Sequence, residues 1–201
     1  MSGPDRGRTR AAALVVAAGS SKRLGQPKQL LPYRSSTLLG TTLDTVRRFG
    51  FGQCIVTVGG AADDVRGGVD TTGFTVVDSV HHTEGCSSSI VAALSAVDDD
   101  MDGLFLFLGD QPHIPAAAVV ALEQVADETP MALVEYGNGL GHPFWFHRSL
   151  FAELATLRGD KAVWKILASG RWPTRQVPVA GDVPLDVDTW DDYQTLLAVT
   201  P

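Results

Sequence analysis

Ala11-Ala12-Ala13-Leu14-Val15-Val16-Ala17-Ala18 runs without a break into Gly19-Ser20-Ser21-Lys22-Arg23-Leu24-Gly25-Gln26-Pro27-Lys28. Eight apolar residues with no polar alternation suit a strand buried on both faces, and the glycine that ends them marks a tight turn. A helix is expected to follow. Comparable apolar runs return at residues 53–58, 74–77, 104–108 and 131–135, separated in several places by amphipathic stretches at 38–49, 88–97 and 116–126. Strand alternating with helix specifies βαβ units and a mostly parallel sheet. Beyond residue 140 the pattern loosens. There it predicts a short strand at 144–146, helices at 150–157 and 160–168, a strand at 174–179 and a closing helix at 189–198 with Thr189 as its N-cap.

The 201 residues are enough for one core and few for two. We read residues 1–10 as a polar, flexible leader and 11–201 as one domain. With 44% hydrophobic and 19% charged residues, disordered and fibrous classes are excluded. No apolar run approaches the ~20 residues that span a bilayer, so no membrane association and a cytoplasmic location are expected. Cys54 and Cys86 are too few for a disulfide framework and lack CxxC spacing. The net charge of −7 argues against nucleic acid as a partner. Its distribution is uneven. Between Arg6 and Leu43 stand seven cations and no acid, and residues 44–201 carry nine Lys or Arg against 22 Asp or Glu. A basic island in an acidic chain suits a small polyanionic ligand, or else a solvated loop.

In open α/β sheets, ligands bind beyond the carboxyl ends of the strands. That rule selects the loops beginning at Gly19, Asp78 and Gly109. In the first, small residues let the backbone approach a ligand, turn N–H groups bind phosphate oxygens, and Arg23 and Lys28 neutralise a triphosphate. The loop lacks a Gly-Lys-Ser/Thr ending and a G-x-G-x-x-G fingerprint, which weakens P-loop and dinucleotide-binding readings. In Gly109-Asp110-Gln111-Pro112, a carboxylate at the end of a buried strand calls for a cation, a metal ion being a natural one. A turn aspartate beside Pro112 is the alternative. In Pro184-Leu185-Asp186-Val187-Asp188-Thr189, extended backbone would put Asp186 and Asp188 on one side. Asp110 with Asp188 meets the Mg²⁺ pattern of one or two carboxylates completed by phosphates and water, whereas Asp188 alone would equally cap the last helix. Gly85-Cys86-Ser87-Ser88-Ser89 precedes a helix, so its serines are expected to cap it and to reach a sugar or base. Gly141-His142-Pro143 places a histidine in a tight loop.

The stretch Val16 to Pro32, with Glu84-Gly85-Cys86-Ser87-Ser88-Ser89-Ile90, Gly109-Asp110-Gln111-Pro112, Gly141-His142-Pro143 and Asp186-Val187-Asp188-Thr189, resembles MobA-like nucleotidyltransferases in order and spacing, and most nearly their molybdenum cofactor cytidylyltransferases. The resemblance covers nearly the whole chain. It implies a single-domain, Rossmann-like α/β fold of nucleotide-diphospho-sugar transferase type, with helices on both faces of the sheet. It further implies transfer of CMP from CTP to the phosphate of molybdopterin with release of pyrophosphate. Arg23, Lys28 and Asp110 would carry catalysis. Ala17, Ala18, Gly19, Ser20, Arg23, Lys28, Asp78, Ser87, Ser88 and Asp110 would bind the nucleotide, and His142 would face the acceptor. Asp110 and Asp188 would hold Mg²⁺, with Mn²⁺ as the substitute. A molybdenum hydroxylase apoenzyme is the implied protein partner. The alternatives are a guanylyltransferase, transfer to another small phosphorylated metabolite, and a non-catalytic accessory protein that binds nucleotide or cofactor.

Overall fold

The computed structural model describes residues 9–159 and 161–199; the leader expected at residues 1–10 lies outside them except for its last two positions. Arg10 is not loose. Its N–H donates to the Asp102 carboxylate at 2.8 Å, and its carbonyl accepts from the Asp102 N–H at 2.7 Å.

In chain order the elements are β1 (Ala11–Val16), β2 (Pro32–Tyr33), β3 (Ser36–Thr37), α1 (Leu38–Arg48), β4 (Gln53–Val58), α2 (Ala62–Gly68), β5 (Thr75–Asp78), α3 (Cys86–Leu94), β6 (Gly103–Leu108), α4 (Ala116–Glu123), β7 (Met131–Tyr136), β8 (Gly139–His147), α5 (Phe151–Leu154), α6 (Ala162–Ser169), β9 (Thr174–Pro178) and α7 (Trp190–Ala198). Seven strands form one sheet in the order β5-β4-β1-β6-β8-β7-β9, parallel throughout except for β8. From β1 the chain steps outward through β4 to β5, then returns by α3 to β6 on the other side of β1. The strand order therefore reverses between β1 and β6, and the crevice beyond their carboxyl ends is where such sheets take ligands.

Side chains alternate across the sheet, so each central strand feeds two cores. Ala11, Ala13 and Val15 of β1, with Phe105 and Phe107 of β6, pack under α1, α2 and α4 through Leu43, Val65 and Leu122. Ala12 and Leu14, with Leu104 and Leu106, meet α3, α5 and α6 through Ile90, Leu154 and Ile166. Trp145 of β8 joins the first core, and its indole N–H donates to the carbonyls of Ala126 at 3.1 Å and Thr129 at 3.2 Å. A third, smaller cluster unites Leu24, Leu31, Tyr33 and Leu38 with Val187, Tyr193 and Leu196 of the closing segment.

Four expectations need correction. No helix follows β1; the chain makes a turn, one 3₁₀ turn at Lys28–Leu30 and the β2–β3 hairpin before α1 begins. Positive φ at Ser21 and Gly25, and Pro27 two residues on, are incompatible with a continuous helix there. β8 has nine residues rather than three and pairs antiparallel with β6 and β7, so His142 lies within a strand and not in a tight loop. Its Gly139, Gly141 and Pro143 weaken the strand signal, and a register shift at Leu133/Val134 accommodates them. α3 begins at Cys86, so its serines stand inside the first turn instead of capping it; Gly85 occupies the N-cap with no side-chain cap bond. The helix expected at 150–157 is shorter, and that expected at 160–168 begins at Ala162, its first position, Asp160, lying outside the described residues.

No helix among the described residues is long and apolar enough to cross a membrane.

Candidate active site

The loop after β1 owes its shape to its own side chains. Ser21 turns the backbone to φ 49°, its carbonyl accepts from Leu24 and Gly25, and its hydroxyl accepts from the Lys28 N–H at 2.9 Å. This closes the turn and starts Lys28 back toward the sheet. Gln29, buried beside it, donates through Nε2 to the carbonyls of Ala17 at 2.6 Å and Gly19 at 3.0 Å. After β6, hydroxyls of α1 hold the second loop: Thr42 donates to the Gly109 carbonyl at 3.1 Å and Thr45 to that of Pro112 at 3.4 Å.

Between the two loops opens a cleft of about 540 Å³. Ala17, Ala18, Gly19, Ser20, Arg23, Lys28, Asp110 and Asp188 of the expected residues all line it. At its centre the Lys28 ammonium lies between two carboxylates, 2.5 Å from Asp110 Oδ2 and 2.8 Å from Asp188 Oδ1, while Arg23 reaches Asp188 Oδ2 at 2.6 Å. Lys28 and Asp110 are largely enclosed, with 15% and 12% of their side chains exposed; Asp188 and Arg23 are open at 44% and 64%. Burial alone would lower the Lys28 pKa, and the charges and hydrogen bonds of Asp110 and Asp188 more than offset this, raising it above the ordinary lysine value. Asp188 is opposed by partial burial but held below the carboxylate range by Lys28 and Arg23.

Asp188 does not cap the last helix. That role belongs to Thr189, which forms a reciprocal capping box with Asp192, whose carboxylate also accepts from the Asp188 N–H at 3.1 Å. Asp186 lines the same cleft. Crowding by protein atoms, then the nearby Asp110 charge, push its carboxyl up to about 6. Gln111 brings the loops together. It is buried, and its Nε2 donates to the Pro184 carbonyl at 3.1 Å and to Asp186 Oδ1 at 2.6 Å. Gln111→Leu is therefore expected to cut turnover by about tenfold through lost alignment of Asp110 with Asp188, while costing only ~1–2 kcal/mol of stability. Steady-state rates set beside a urea melt check this, and parental rates would remove the coupling role.

Two carboxylates converging on a single cationic point are a donor set that suits a hard divalent ion, the rest of whose shell would come from phosphate and water. Among the described residues there is no group of three or more His, Cys, Asp or Glu arranged to hold a metal by themselves.

Asp78, Ser87 and Ser88 are not brought into this cleft. They line a neighbouring cavity of about 470 Å³ together with Val91, Leu157 and Arg158, and Asp78 pairs with Arg66 at 2.7 Å. The cleft also contains Gln29, His82 and Thr83, which the sequence did not single out, together with Cys86, Ser89 and Asp186 from the motifs quoted above. His142 also stands apart from the cleft lining. It lies two residues beyond the Leu106–Phe144 pair toward the carboxyl edge of β6, its ring stacked on Phe144 at 4.2 Å and its carbonyl accepting from Tyr136 at 2.8 Å. Burial lowers its imidazole to about 4, so it is neutral at physiological pH.

Ala17 and Ala18 line the cleft but are themselves buried against neighbouring glycines. A Cβ placed on Gly109 would come within 2.9 Å of the Ala17 methyl, and one on Gly59 within 2.9 Å of the Ala18 methyl and 2.5 Å of the Ala18 carbonyl oxygen. Each alanine is thus packed against the glycine that follows or nearly follows a neighbouring strand, and the same Gly59 position lies 2.8 Å from His82 Cβ.

Comparison with known proteins agrees with the fold. The crystal structure of Rv0371c from Mycobacterium tuberculosis H37Rv superposes with a TM-score of 0.88 at 49% identity, covering 96% of this chain and 99% of that one. A second crystal structure, of Rv0371c in complex with manganese, gives 0.84 at 46% identity, covering 96% and 100%. Among curated proteins, the molybdenum cofactor cytidylyltransferase of Escherichia coli K12 is 24% identical over 90% of this chain and 93% of its own length. The nicotine blue oxidoreductase of Paenarthrobacter nicotinovorans is 26% identical over 92% and 95%. The family model described as the MobA-like NTP transferase domain matches residues 13–177, which takes in most of β1, the loop after it, Asp110 and the sheet as far as β9, and the chain belongs to that nucleotidyltransferase family.

Proposed function

We propose that the protein transfers CMP from CTP to the terminal phosphate of molybdopterin, releasing pyrophosphate, in the cytoplasm. The observation that carries this reading is the meeting of Lys28, Asp110 and Asp188 at one point in a cleft floored by the Ala17–Arg23 loop. The cytidylyltransferase relative and the sequence resemblance support the choice of donor and acceptor. An acceptor phosphate oxygen attacks the α-phosphorus of CTP as the bond to the β-phosphate oxygen breaks. With a second pKa of about 6, a phosphate monoester is already largely ionised, so no general base is required. Catalysis rests on positioning and charge. Lys28 and Arg23 neutralise the triphosphate and the departing pyrophosphate. Asp110 and Asp188 would hold Mg²⁺ or Mn²⁺, which when bound supplies neutralisation of phosphate oxygens. His142, buried and neutral near the carboxyl edge of β6, is assigned to the acceptor side by the sequence resemblance alone and contributes no charge. A molybdenum hydroxylase apoenzyme is the partner that would receive the product.

Selection of cytosine over guanine works through the depth of the cleft. Ala18 and His82 line that cleft, and Gly59 beside them has no room for a side chain, which supports a wall of fixed position there. With α-labelled nucleotides and purified molybdopterin acceptor, CTP is expected to exceed GTP by about tenfold or more in kcat/KM, the order that one pocket-wall difference supplies. GTP turning over as fast would transfer the reading to a guanylyltransferase. Nucleotide binding without any pyrophosphate release would make the protein an accessory carrier.

A further inference from the structure

Gln29 has no place in the chemistry above, although it is 4% exposed and forms part of the cleft wall. Its single amide nitrogen serves two carbonyls of the loop, those of Ala17 and Gly19, while its Oε1 has no partner among the described residues. The neighbouring carbonyls are also turned inward. That of Val16 accepts from the Gly109 N–H at 2.9 Å, and that of Ala18 lies where Gly59, lacking a Cβ, leaves room for it. Four successive carbonyls from Val16 to Gly19 are thus directed into the protein, two of them by one side chain.

In a trans peptide the N–H of the next residue points opposite to the carbonyl. Pinning the Ala17 and Gly19 carbonyls to Gln29 therefore turns the N–H groups of Ala18 and Ser20 the other way, toward the cleft that both residues line. We infer that Gln29 is a positioning residue that converts the loop after β1 into a two-donor nest for a phosphate oxygen. Its side chain need not touch the ligand. A polyanion approaching carbonyl oxygens would be repelled, and the clamp removes two of them and presents two donors in their place. The inference deepens the nucleotidyltransferase reading by naming what pre-forms its anion site, and it rests on that reading only for the identity of the anion.

The test compares the parent with Gln29→Met, which keeps length and apolar fit but removes the donor, and with Gln29→Glu. As a carboxylate, the Gln29→Glu side chain can only accept, so it opposes both carbonyls near neutral pH and regains one donated bond when protonated. Inorganic tripolyphosphate is titrated while backbone ¹⁵N–¹H spectra are recorded, and CTP and cytidine are titrated by calorimetry. In the parent the Ala18 and Ser20 amides should move with tripolyphosphate. In Gln29→Met, affinity for tripolyphosphate and CTP should fall by about tenfold or more, the order expected for two charge-assisted bonds, with cytidine affinity near the parent and a melting temperature lower by a few degrees, because two carbonyls lose their donor. Gln29→Glu should show the same loss at pH 8 and partial recovery toward pH 5. Tripolyphosphate affinity within twofold of the parent, Ala18 and Ser20 amides that stay still, or equal losses for cytidine and CTP would each overturn the role. A parent that binds tripolyphosphate through these amides but turns over no nucleotide would instead sink the enzymatic reading and leave the nest standing.

Discussion

Asp110→Asn is expected to lower turnover by about 10²-fold or more while leaving the fold in place, the scale reached when one preorganised charge is removed from a reacting phosphate centre. The substitution keeps shape and hydrogen-bonding capacity and deletes only the charge. Lys28 would still have Asp188 at 2.8 Å, so no cation is left stranded, and Thr42 and Gln111 hold the loop without using the Asp110 carboxylate. Asp188→Asn should behave in the same way, because Thr189 rather than Asp188 caps α7. Turnover measured across a divalent-metal titration, alongside a thermal melt, separates the outcomes. Rates and metal dependence equal to the parent's would mean that the carboxylates serve only the turn.

Lys28→Ala should also be severe, in two respects. From the sequence this lysine reads as an exposed cation whose loss the fold would tolerate; the structure encloses it, with 15% of its side chain exposed. Its removal leaves Asp110, itself 12% exposed, beside Asp186 and Asp188 with no ammonium among them. We expect about 10²-fold lower kcat/KM and a stability loss of ~1–3 kcal/mol, the cost of an enclosed charge deprived of its partner. Because the vacated point remains flanked by carboxylates, millimolar Mg²⁺ or Mn²⁺ should restore melting temperature in this variant more than in the parent, by mass action on the folded state. The raised Lys28 pKa works in the same direction. The pair contributes its stability throughout the range below the unfolded lysine value and loses it only as pH climbs through the higher folded one. A variant with parental kcat/KM would remove Lys28 from the site.

How far the sequence could be read depended on periodicity. The buried parallel strands β1, β4 and β6 have no alternation to hide, and α1 and α7 carry Thr caps just before their first turns, so these elements and the cleft edge were legible. β8 was not, because two glycines and a proline suppress the local strand signal that pairing on both sides overrides. Helical phase puts Ser87 and Ser88 on the neighbouring cavity and not on the cleft. Once α3 begins at Cys86, Cys86 and Ser89 share a face at a spacing of three and line the cleft. Ser87 with Val91, and Ser88 with Ala92, share other faces at a spacing of four and line the neighbouring cavity. A start two residues later hides that division. Asp78 ends β5 at the expected edge, yet Arg66 of α2, a helix whose closing glycines give no periodic signal, draws it away. Lys28, Asp110 and Asp188 were readable because each lies where a strand or loop must surface, but their order around one ammonium is a tertiary fact.

The third hydrophobic cluster gives the site a thermodynamic life of its own. Leu24, Leu31, Tyr33 and Leu38 flank the loop that carries Lys28, while Val187, Tyr193 and Leu196 flank Asp188, and neither set belongs to the two cores that hold the sheet. The Tyr193 hydroxyl donates to the Pro32 carbonyl at 2.5 Å, tying the two halves directly. Such a satellite opens as a smaller cooperative unit than the body beneath it. Fraying of α7 would carry Asp188 off its cations while β1, β4 and β6 remain paired, so the charge centre answers to an equilibrium of its own and global melting understates how readily it comes apart.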